Sequence, residues 1–435
     1  MKSDPKTIAQ TYLSLTILAV VSAALIFAFQ YLSELIAEFL LIEFEATALN
    51  ITIYFFAIMF LGLFEYWFLR GPFFKGEVYS IRVLVKKDIH IHWIKAVIKM
   101  FFACLITFLI GLPLGSEGPS VFLCALLAEG IFWITKSKKE DLQGITIGGA
   151  LGFSLAVLNP LAGISYFYEP MRKKPKLSVM LEDVYAVLLG YTIIVLLRWA
   201  AGYDMPYLSD EFHTGLTYFS SDHVGLIFMI PFIAFAAASL FKAACKHRGL
   251  QQYCSQKEWA VWSTLFAAVM VVALKFTSNS AMLGSGSYIM TMGILSLEDV
   301  VMFLFIRFFF MSITFDLFFA GGQVIPSMSL GYLLGNLVLC FLPDCGMTEA
   351  EKQLFCILMA LCYYSFVVER YWTAVFLGMS FGPVWIVSLY MLVLLPLTWG
   401  LGKYVGSRQS LATIAHMKHY PREGHLSKRR HGVRA

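Results

Sequence analysis

The feature that most constrains the fold is a succession of apolar runs of very uneven length, from residue 8 to about residue 417. Some runs exceed the roughly 20 residues that a helix needs to cross a bilayer, and others are much shorter. Short segments can lie at membrane depth only when protein surrounds them, because lipid cannot pair with backbone polar groups. With 59% hydrophobic and 14% charged residues, the chain is also unlike a soluble domain. We therefore predict an all-α polytopic membrane protein.

The apolar runs predict sixteen helical segments. We expect them at about residues 8–44, 51–69, 93–112, 120–135, 142–158, 161–171, 177–200, 223–245, 258–276, 288–296, 299–319, 325–341, 352–368, 373–377, 384–401 and 410–417. The first run is too long for a signal peptide and has no small-residue cleavage site, so we expect its helix to stay in the protein. We expect no separate soluble domain after the last run.

Basic residues are concentrated in a few segments, at residues 136–139, 172–176, 242–248 and 418–434. By the positive-inside rule these segments face the cytoplasm. We therefore expect both termini to be cytoplasmic, residues 418–435 to form a basic tail, and the protein to lie in the cell (inner) membrane. A tail of this kind explains the local basic charge without nucleic-acid binding. The acidic loop at residues 202–211 is expected outside.

A short polar segment interrupts the apolar pattern at residues 115–120, with the sequence Gly-Ser-Glu-Gly-Pro-Ser. Pro119 at a first helical position predicts a helix that begins inside the membrane. Its unpaired amides and dipole would attract an anion, so Gly115, Ser116 and Gly118 are candidate anion-binding residues. Glu117 could occupy that anion site when charged and leave it when protonated. Alternatively, it merely interacts favourably with its own helix dipole.

An internal repeat places a second helix start of the same kind in the other half of the chain. Residues 119–127 and 326–334 share one proline, one serine and three leucine positions, and each copy follows a glycine-bearing turn. Matching broken segments in two halves indicate a midplane site in inverted-repeat transporters. We therefore divide the membrane domain into residues 1–200 and 201–417 and expect both helix starts to face one centre.

The motifs resemble those of the CLC family of chloride channels and proton-coupled chloride antiporters. Residues 115–119 are similar to its G-K/R-E-G-P motif, with Ser116 in the basic position. Residues 159–163, Asn-Pro-Leu-Ala-Gly, are similar to N-A-P-L-A-G-I, and residues 322–326 stand where G-x-F-x-P is expected. The resemblance implies an inverted repeat of tilted and broken helices, a homodimer with one anion path per protomer, gating by Glu117, and anion binding at Gln323 and Val324.

The sequence also departs from the family pattern. The inner anion-coordinating serine of the family corresponds to Gly76, or to Ser80 if the register slips, and the central tyrosine corresponds to Ser410. The internal proton-transferring glutamate aligns with Pro170. Glu169 precedes it, and a shift of one residue turns a helical side chain by about 100°. Glu169 is therefore a candidate for the proton pathway whose orientation the sequence leaves open.

We expect the chain to transport chloride or a similar small anion, passively or with weak coupling to protons, through a pore narrowed by Glu117. A proton-coupled antiporter using Glu169 is the alternative, and a secondary transporter of an organic anion on an unrelated inverted-repeat fold is a more remote one. No nucleophile, metal cluster or catalytic carboxylate pair indicates an enzyme. Eight scattered cysteines without a CxxC pair indicate no cofactor or metal. Cys340 and Cys345 flank a short loop, where two free thiols are favoured over a disulfide.

Several other polar residues lie in apolar sequence. We expect them to pair with their surroundings or to reach an interface rather than to line an ion route. These residues are Glu65, Glu129, Lys275, Arg307 and Asp316. Residues 284–287, Gly-Ser-Gly-Ser, are either a helix start at the site or a plain turn.

Overall fold

The computed structural model describes residues 5–68, 92–135, 141–171, 177–202, 218–246, 255–277, 279–315, 317–342, 346–381 and 386–416. These ranges contain fourteen α-helices. They are α1 (Pro5–Leu41), α2 (Ala48–Phe68), α3 (Trp93–Ile110), α4 (Glu117–Ile134), α5 (Asp141–Val157), α6 (Pro160–Tyr168), α7 (Leu177–Ala200), α8 (Ile230–Lys246), α9 (Gln256–Phe276), α10 (Leu297–Thr314), α11 (Val324–Phe341), α12 (Glu349–Val368), α13 (Tyr371–Leu377) and α14 (Ile386–His416).

Ten helical stretches of the described chain are long and apolar enough to cross a membrane. Other helices cannot cross it by themselves, since α6 has 9 residues and α13 has 7. Both short helices pack against each other inside the protein, where their backbone ends find partners. The predicted all-α polytopic membrane fold is confirmed.

The predicted segments differ from the observed helices in a few places. Residues 288–296 form only a 3-10 turn, Tyr288–Thr291, because Gly293 adopts a positive φ of 73° and ends the helical path. The segment predicted at 410–417 is the end of α14, which continues through Pro396. α10 ends at Thr314 rather than at residue 319.

Two sets of five consecutive helices have similar lengths in the same positions, with a short fourth helix and the longest helix last. The helices α3 to α7 have 18, 18, 17, 9 and 24 residues, and α10 to α14 have 18, 18, 20, 7 and 31. In the first set α4 packs along α5, and in the second α11 packs along α12. This parallel fits the internal repeat seen in the sequence.

Glycines allow these two helix pairs to pack closely. A Cβ atom on Gly152 of α5 would lie 2.8 Å from Cα of Val121 in α4. A Cβ atom on Gly331 of α11 would lie 2.7 Å from Cα of Ala360 in α12. Small residues at membrane helix contacts let backbones approach. This close packing against α5 and α12 holds α4 and α11 in place along their length.

Candidate functional site

The starts of α4 and α11 are joined by an antiparallel β-bridge between Gly115 and Gly322. The Gly115 amide donates to the Gly322 carbonyl at 2.9 Å, and the Gly322 amide donates to the Gly115 carbonyl at 2.7 Å. Each glycine precedes its helix by two residues. The predicted meeting of the two helix starts is confirmed.

The bridge leaves no room for side chains. A Cβ atom on Gly118 would lie 2.9 Å from Cα of Gly322, and one on Gly322 would lie 2.6 Å from the Gly118 nitrogen. Such distances essentially never occur between a real Cβ atom and backbone. Glycine at both positions is therefore required by packing.

Glu117 is the first residue of α4 and is only 1% exposed. Its carboxyl group folds back over the bridge: a Cβ atom on Gly115 would collide with Oε2, and one on Gly322 would lie 3.2 Å from it. The prediction of Pro119 at the first helical position is wrong, because Pro119 is the third helical residue. Its missing N–H costs nothing there, since the first four amides of a helix have no intrahelical partner.

Ser116 and Gln323 are the residues just before α4 and α11. Neither side chain caps its helix, so the helix starts are not closed by these side chains. Val324 is the first residue of α11, one residue before the predicted start at 325, and it is 5% exposed.

A small cavity of about 10 Å³ adjoins the first turn of α11. It is lined by Val157, Val324, Ile325, Met328, Leu377, Ser380 and Phe381. Ser380 is the polar side chain of this lining, and Asn159 holds it: Asn159 Nδ2 donates to Ser380 Oγ at 3.1 Å and to the Phe376 carbonyl at 2.8 Å. Asn159 Oδ1 accepts from the Ala162 amide at 3.0 Å, which caps α6. Sequence reasoning singled out Asn159 but missed Ser380.

Glu169 directly follows α6 and is half-buried. Its Oε1 accepts from the amides of Tyr371 at 2.6 Å and Trp372 at 3.1 Å. Its Oε2 accepts from the amide of Thr373 at 3.3 Å and from the Thr373 hydroxyl at 3.2 Å. The carboxylate thus caps α13. The one-residue shift from Pro170 directs this side chain to a helix start.

Tyr364 on α12 is a further buried polar residue near both carboxylates. It is 0% exposed and interacts electrostatically with Glu117 and with Glu169. Its hydroxyl has no hydrogen-bond partner within the described residues. Tyr364 follows Tyr363 in an apolar run, and nothing in that pattern could have identified it from the sequence.

Arg307 is fully buried in α10 and closes a turn. Its Nη1 donates to the carbonyls of Met282 at 2.8 Å and Gly284 at 2.9 Å, and its Nη2 donates to that of Ser285. Its Nε donates to the hydroxyl of Ser329 at 3.2 Å. Residues 284–287 are therefore a plain turn rather than a helix start at the centre.

Other intramembrane polar residues also bind their surroundings, as predicted. Oε1 of the fully buried Glu65 accepts from the Thr107 hydroxyl at 2.9 Å and from the Ala320 amide at 3.3 Å. Lys275 donates to the carbonyls of Leu40 and Ile42. Glu129 lies within α4.

Some predicted positions lie outside the described residues. They are Gly76, Ser80, Asp316, Cys345 and the tail 418–435. Ser410 lies in α14, but its side chain is outside the described part. In the described part of the chain, no group of three or more His, Cys, Asp or Glu side chains could hold a metal.

Solved structures with this fold share little sequence with the chain. A slow cyanobacterial Cl−/H+ antiporter has a TM-score of 0.76 at 13% identity, with 96% of this chain and 100% of that chain covered. A CLC-type fluoride/proton antiporter has a TM-score of 0.70 at 16% identity, covering 92% and 97%. A eukaryotic CLC transporter has a TM-score of 0.65 at 17% identity, covering 91% and 74%.

The sequence itself gives one family assignment. No curated protein matches the chain. The family model described as voltage gated chloride channel matches residues 55–398, which include both helix starts, Asn159 and Glu169. That span is most of the 435 residues. The chain belongs to the CLC family of voltage gated chloride channels.

Proposed function

We propose that this protein transports chloride or a similar small anion across a membrane, along a path gated by Glu117. The observation that carries the proposal is a buried carboxyl group at the bridge between two helix starts. An anion drawn to the amides of these starts must compete with that carboxylate. The family assignment favours a small inorganic anion over an organic one, and it favours transport over enzymatic activity.

The charge pattern supports a central position for the site. In the sequence, α4 is followed by the basic residues 136–139, whereas no basic residue stands at positions 342–351 after α11. Basic residues favour the cytoplasmic side. This charge pattern favours opposite directions for the two helices away from the bridge, which would put both positive dipole ends at the centre. This arrangement supports residues 1–200 and 201–417 as inverted halves of one membrane domain.

The mode of transport in this proposal is channel-like, with weak or no proton coupling. Glu169 supports it, because both oxygens of its carboxylate are engaged by four donors at the start of α13. The antiporter alternative has its own support in Tyr364, which lies within electrostatic reach of both Glu117 and Glu169. The first two structural relatives are described as proton antiporters. Proton flux measured beside anion flux distinguishes the two modes.

Assembly and location belong to the same proposal. Large apolar side chains are exposed on several helices, including Phe60 at 69%, Trp199 at 80% and Phe305 at 72%, and lipid or a second copy must cover them. We assign a homodimer in the cell (inner) membrane, with both termini in the cytoplasm. Crosslinking in vesicles and protease access from one side test the dimer and the orientation.

Anion flux into proteoliposomes at several external pH values tests the gate. Wild-type flux should rise as the external pH falls, because protonated Glu117 leaves the anion position. Glu117→Gln and Glu117→Ala should conduct with little pH dependence. Glu349→Gln is the matched control, since Glu349 also lies in a first helical turn but its side chain is 75% exposed. If both Glu117 variants kept wild-type flux and pH response, Glu117 would be only a helix-start residue.

A further inference from the structure

We propose that Glu65 is a proton-binding site inside the membrane domain and that its neutral form links the two chain segments that lead into the Gly115–Gly322 bridge. Glu65 lies on α2 and is 0% exposed. The inference goes beyond the proposed anion path and does not depend on it.

The hydrogen bonds of Glu65 reach both sides of the bridge. Its Oε1 accepts from the Thr107 hydroxyl at 2.9 Å and from the Ala320 amide at 3.3 Å. Thr107 lies on α3, the helix that leads to Gly115, and Ala320 stands two residues before Gly322. One carboxyl oxygen therefore links α2 to both segments that enter the bridge.

No cation balances a negative charge on this carboxyl group. Within the described residues, no Lys, Arg or His side chain forms an ion pair with Glu65, and its Oε2 has no hydrogen-bond partner. The adjoining residues 317–320 are buried and have the sequence Leu-Phe-Phe-Ala. Two neutral donors on one oxygen do not offset the lost hydration of a buried charge, and such a group takes up a proton instead.

The titratable groups on the helices that pack most against α2 do not pair with Glu65. These helices are α3 and α9. The Cys104 thiol of α3 donates to Met100 Sδ at 3.5 Å, and the Lys99 ammonium lies 5.8 Å from the centre of the Phe68 ring. The remaining titratable side chains of the two helices are exposed or donate to backbone carbonyls, namely Lys95, Lys257, Glu258 and Lys275. A bound proton is therefore what neutralises Glu65.

The geometry also indicates which oxygen carries the proton. A protonated carboxyl group has one oxygen that bears the hydrogen and one that only accepts. Oε1 of Glu65 accepts both hydrogen bonds, so the hydrogen is on Oε2. The neutral form thus keeps both bonds and places no charge next to the segment that leads to Gly322.

Infrared spectra of the purified full chain at pH 7 test the proton directly. An exposed glutamate is ionised at this pH, so only neutral buried carboxyl groups contribute the C=O stretch of a carboxylic acid. This absorption should lose one component in Glu65→Gln. It should be unchanged in the control Glu349→Gln, because the Glu349 side chain is 75% exposed. Signals from other neutral carboxyl groups are present in every spectrum and cancel in the difference from wild type.

Thr107→Val is a second variant that keeps Glu65, for the case that Glu65→Gln does not fold. It removes one donor to Oε1, so the acid C=O component should move to higher frequency rather than disappear. Thr314→Val is the matched control, because Thr314 is 1% exposed and donates to the Phe310 carbonyl at 2.7 Å. This control should leave the component at its wild-type frequency.

The inference is overturned if Glu65→Gln loses a carboxylate absorption instead of a carboxylic acid one. It is also overturned if Thr107→Val leaves the acid component at its wild-type frequency. A merely structural role for Glu65 would lower the Tm of the variants without either spectral change. None of these spectra requires anion flux, so their outcome is independent of whether Glu117 gates the path.

Discussion

Replacing Glu169 should destabilise the protein without changing how it handles protons. Glu169→Ala removes the acceptor for the amides of Tyr371, Trp372 and Thr373. Loss of a helix cap costs about 1 kcal/mol, and a buried unpaired donor adds about 1 kcal/mol or more. Thr373 is the buried one of these three residues, whereas Trp372 is exposed to solvent. We therefore expect a total cost of about 2 kcal/mol for Ala.

Glu169→Gln should cost about half as much, because one oxygen remains to accept and the new amide faces the Thr373 donors. Thermal unfolding followed by tryptophan fluorescence measures the effect. With an unfolding entropy of about 2 cal/mol/K per residue, a chain of this length loses about 1 °C of Tm per kcal/mol. Glu349→Gln is the control, since its exposed side chain predicts a change below about 0.5 kcal/mol.

Proton uptake driven by a chloride gradient provides the second measurement. If Glu169 is only a helix cap, proton uptake should be equally small in vesicles that contain the wild type, Glu169→Gln or Glu349→Gln. The reasoning is refuted if Glu169→Gln unfolds at the wild-type temperature and also abolishes a stoichiometric proton flux. That pair of results would make Glu169 the proton carrier and the protein an antiporter.

Two further substitutions test the supports of the helix starts. Gly152→Val should separate α5 from α4, because the valine side chain would collide with Val121 Cα. We expect the free energy of unfolding to fall by about 3 kcal/mol. The folded yield and the Tm should be lower than those of the control Gly225→Ala, whose new side chain points into open space. Glu65→Leu should cost about 2 kcal/mol, because the Ala320 amide loses its acceptor. Glu65→Gln retains that acceptor and should unfold near the wild-type temperature. If Glu65→Leu and Glu65→Gln lowered the Tm equally, the charge of Glu65 would matter more than its hydrogen bonds.

The sequence predicted the features that follow from local pattern. Apolar runs of uneven length indicated a membrane bundle with buried short helices, and α6 and α13 are such helices. Glycine and proline in matching places indicated two broken helices, and the Gly115–Gly322 bridge joins their starts. These predictions succeeded because helix breaking and lipid solvation depend on residues close together in sequence.

Two helices begin earlier in the chain than predicted, and the reason is physical. Thr348 caps α12 in a capping box with Glu351, and Ser255 does the same for α9 with Glu258. The apolar pattern begins only after such polar first turns. The predicted starts at residues 352 and 258 therefore missed the capped turns, which the box motif itself could have located.

Contacts between distant segments could not be predicted. Ser380 is 221 residues from Asn159, and Glu169 caps a helix about 200 residues later. A single serine or tyrosine in an apolar run carries no periodic signal. Its role follows from which donor or acceptor the fold places opposite it, and neither hydrophobicity nor residue spacing records that information.

The geometry around Glu117 links protons to anions in the proposed mechanism whichever mode of transport applies. A charged carboxyl group over the bridge opposes an anion at the same helix starts, and a bound anion favours the protonated carboxyl group. Binding linkage is reciprocal, so each ligand must strengthen the other by the same factor. Bromide should therefore bind more tightly as the pH falls, and this dependence should vanish in Glu117→Gln. Coupled transport needs more, namely a second group that passes the proton onward, and both oxygens of Glu169 are already engaged in capping α13. An anion affinity that depends on pH is thus compatible with a vesicle flux that moves few protons.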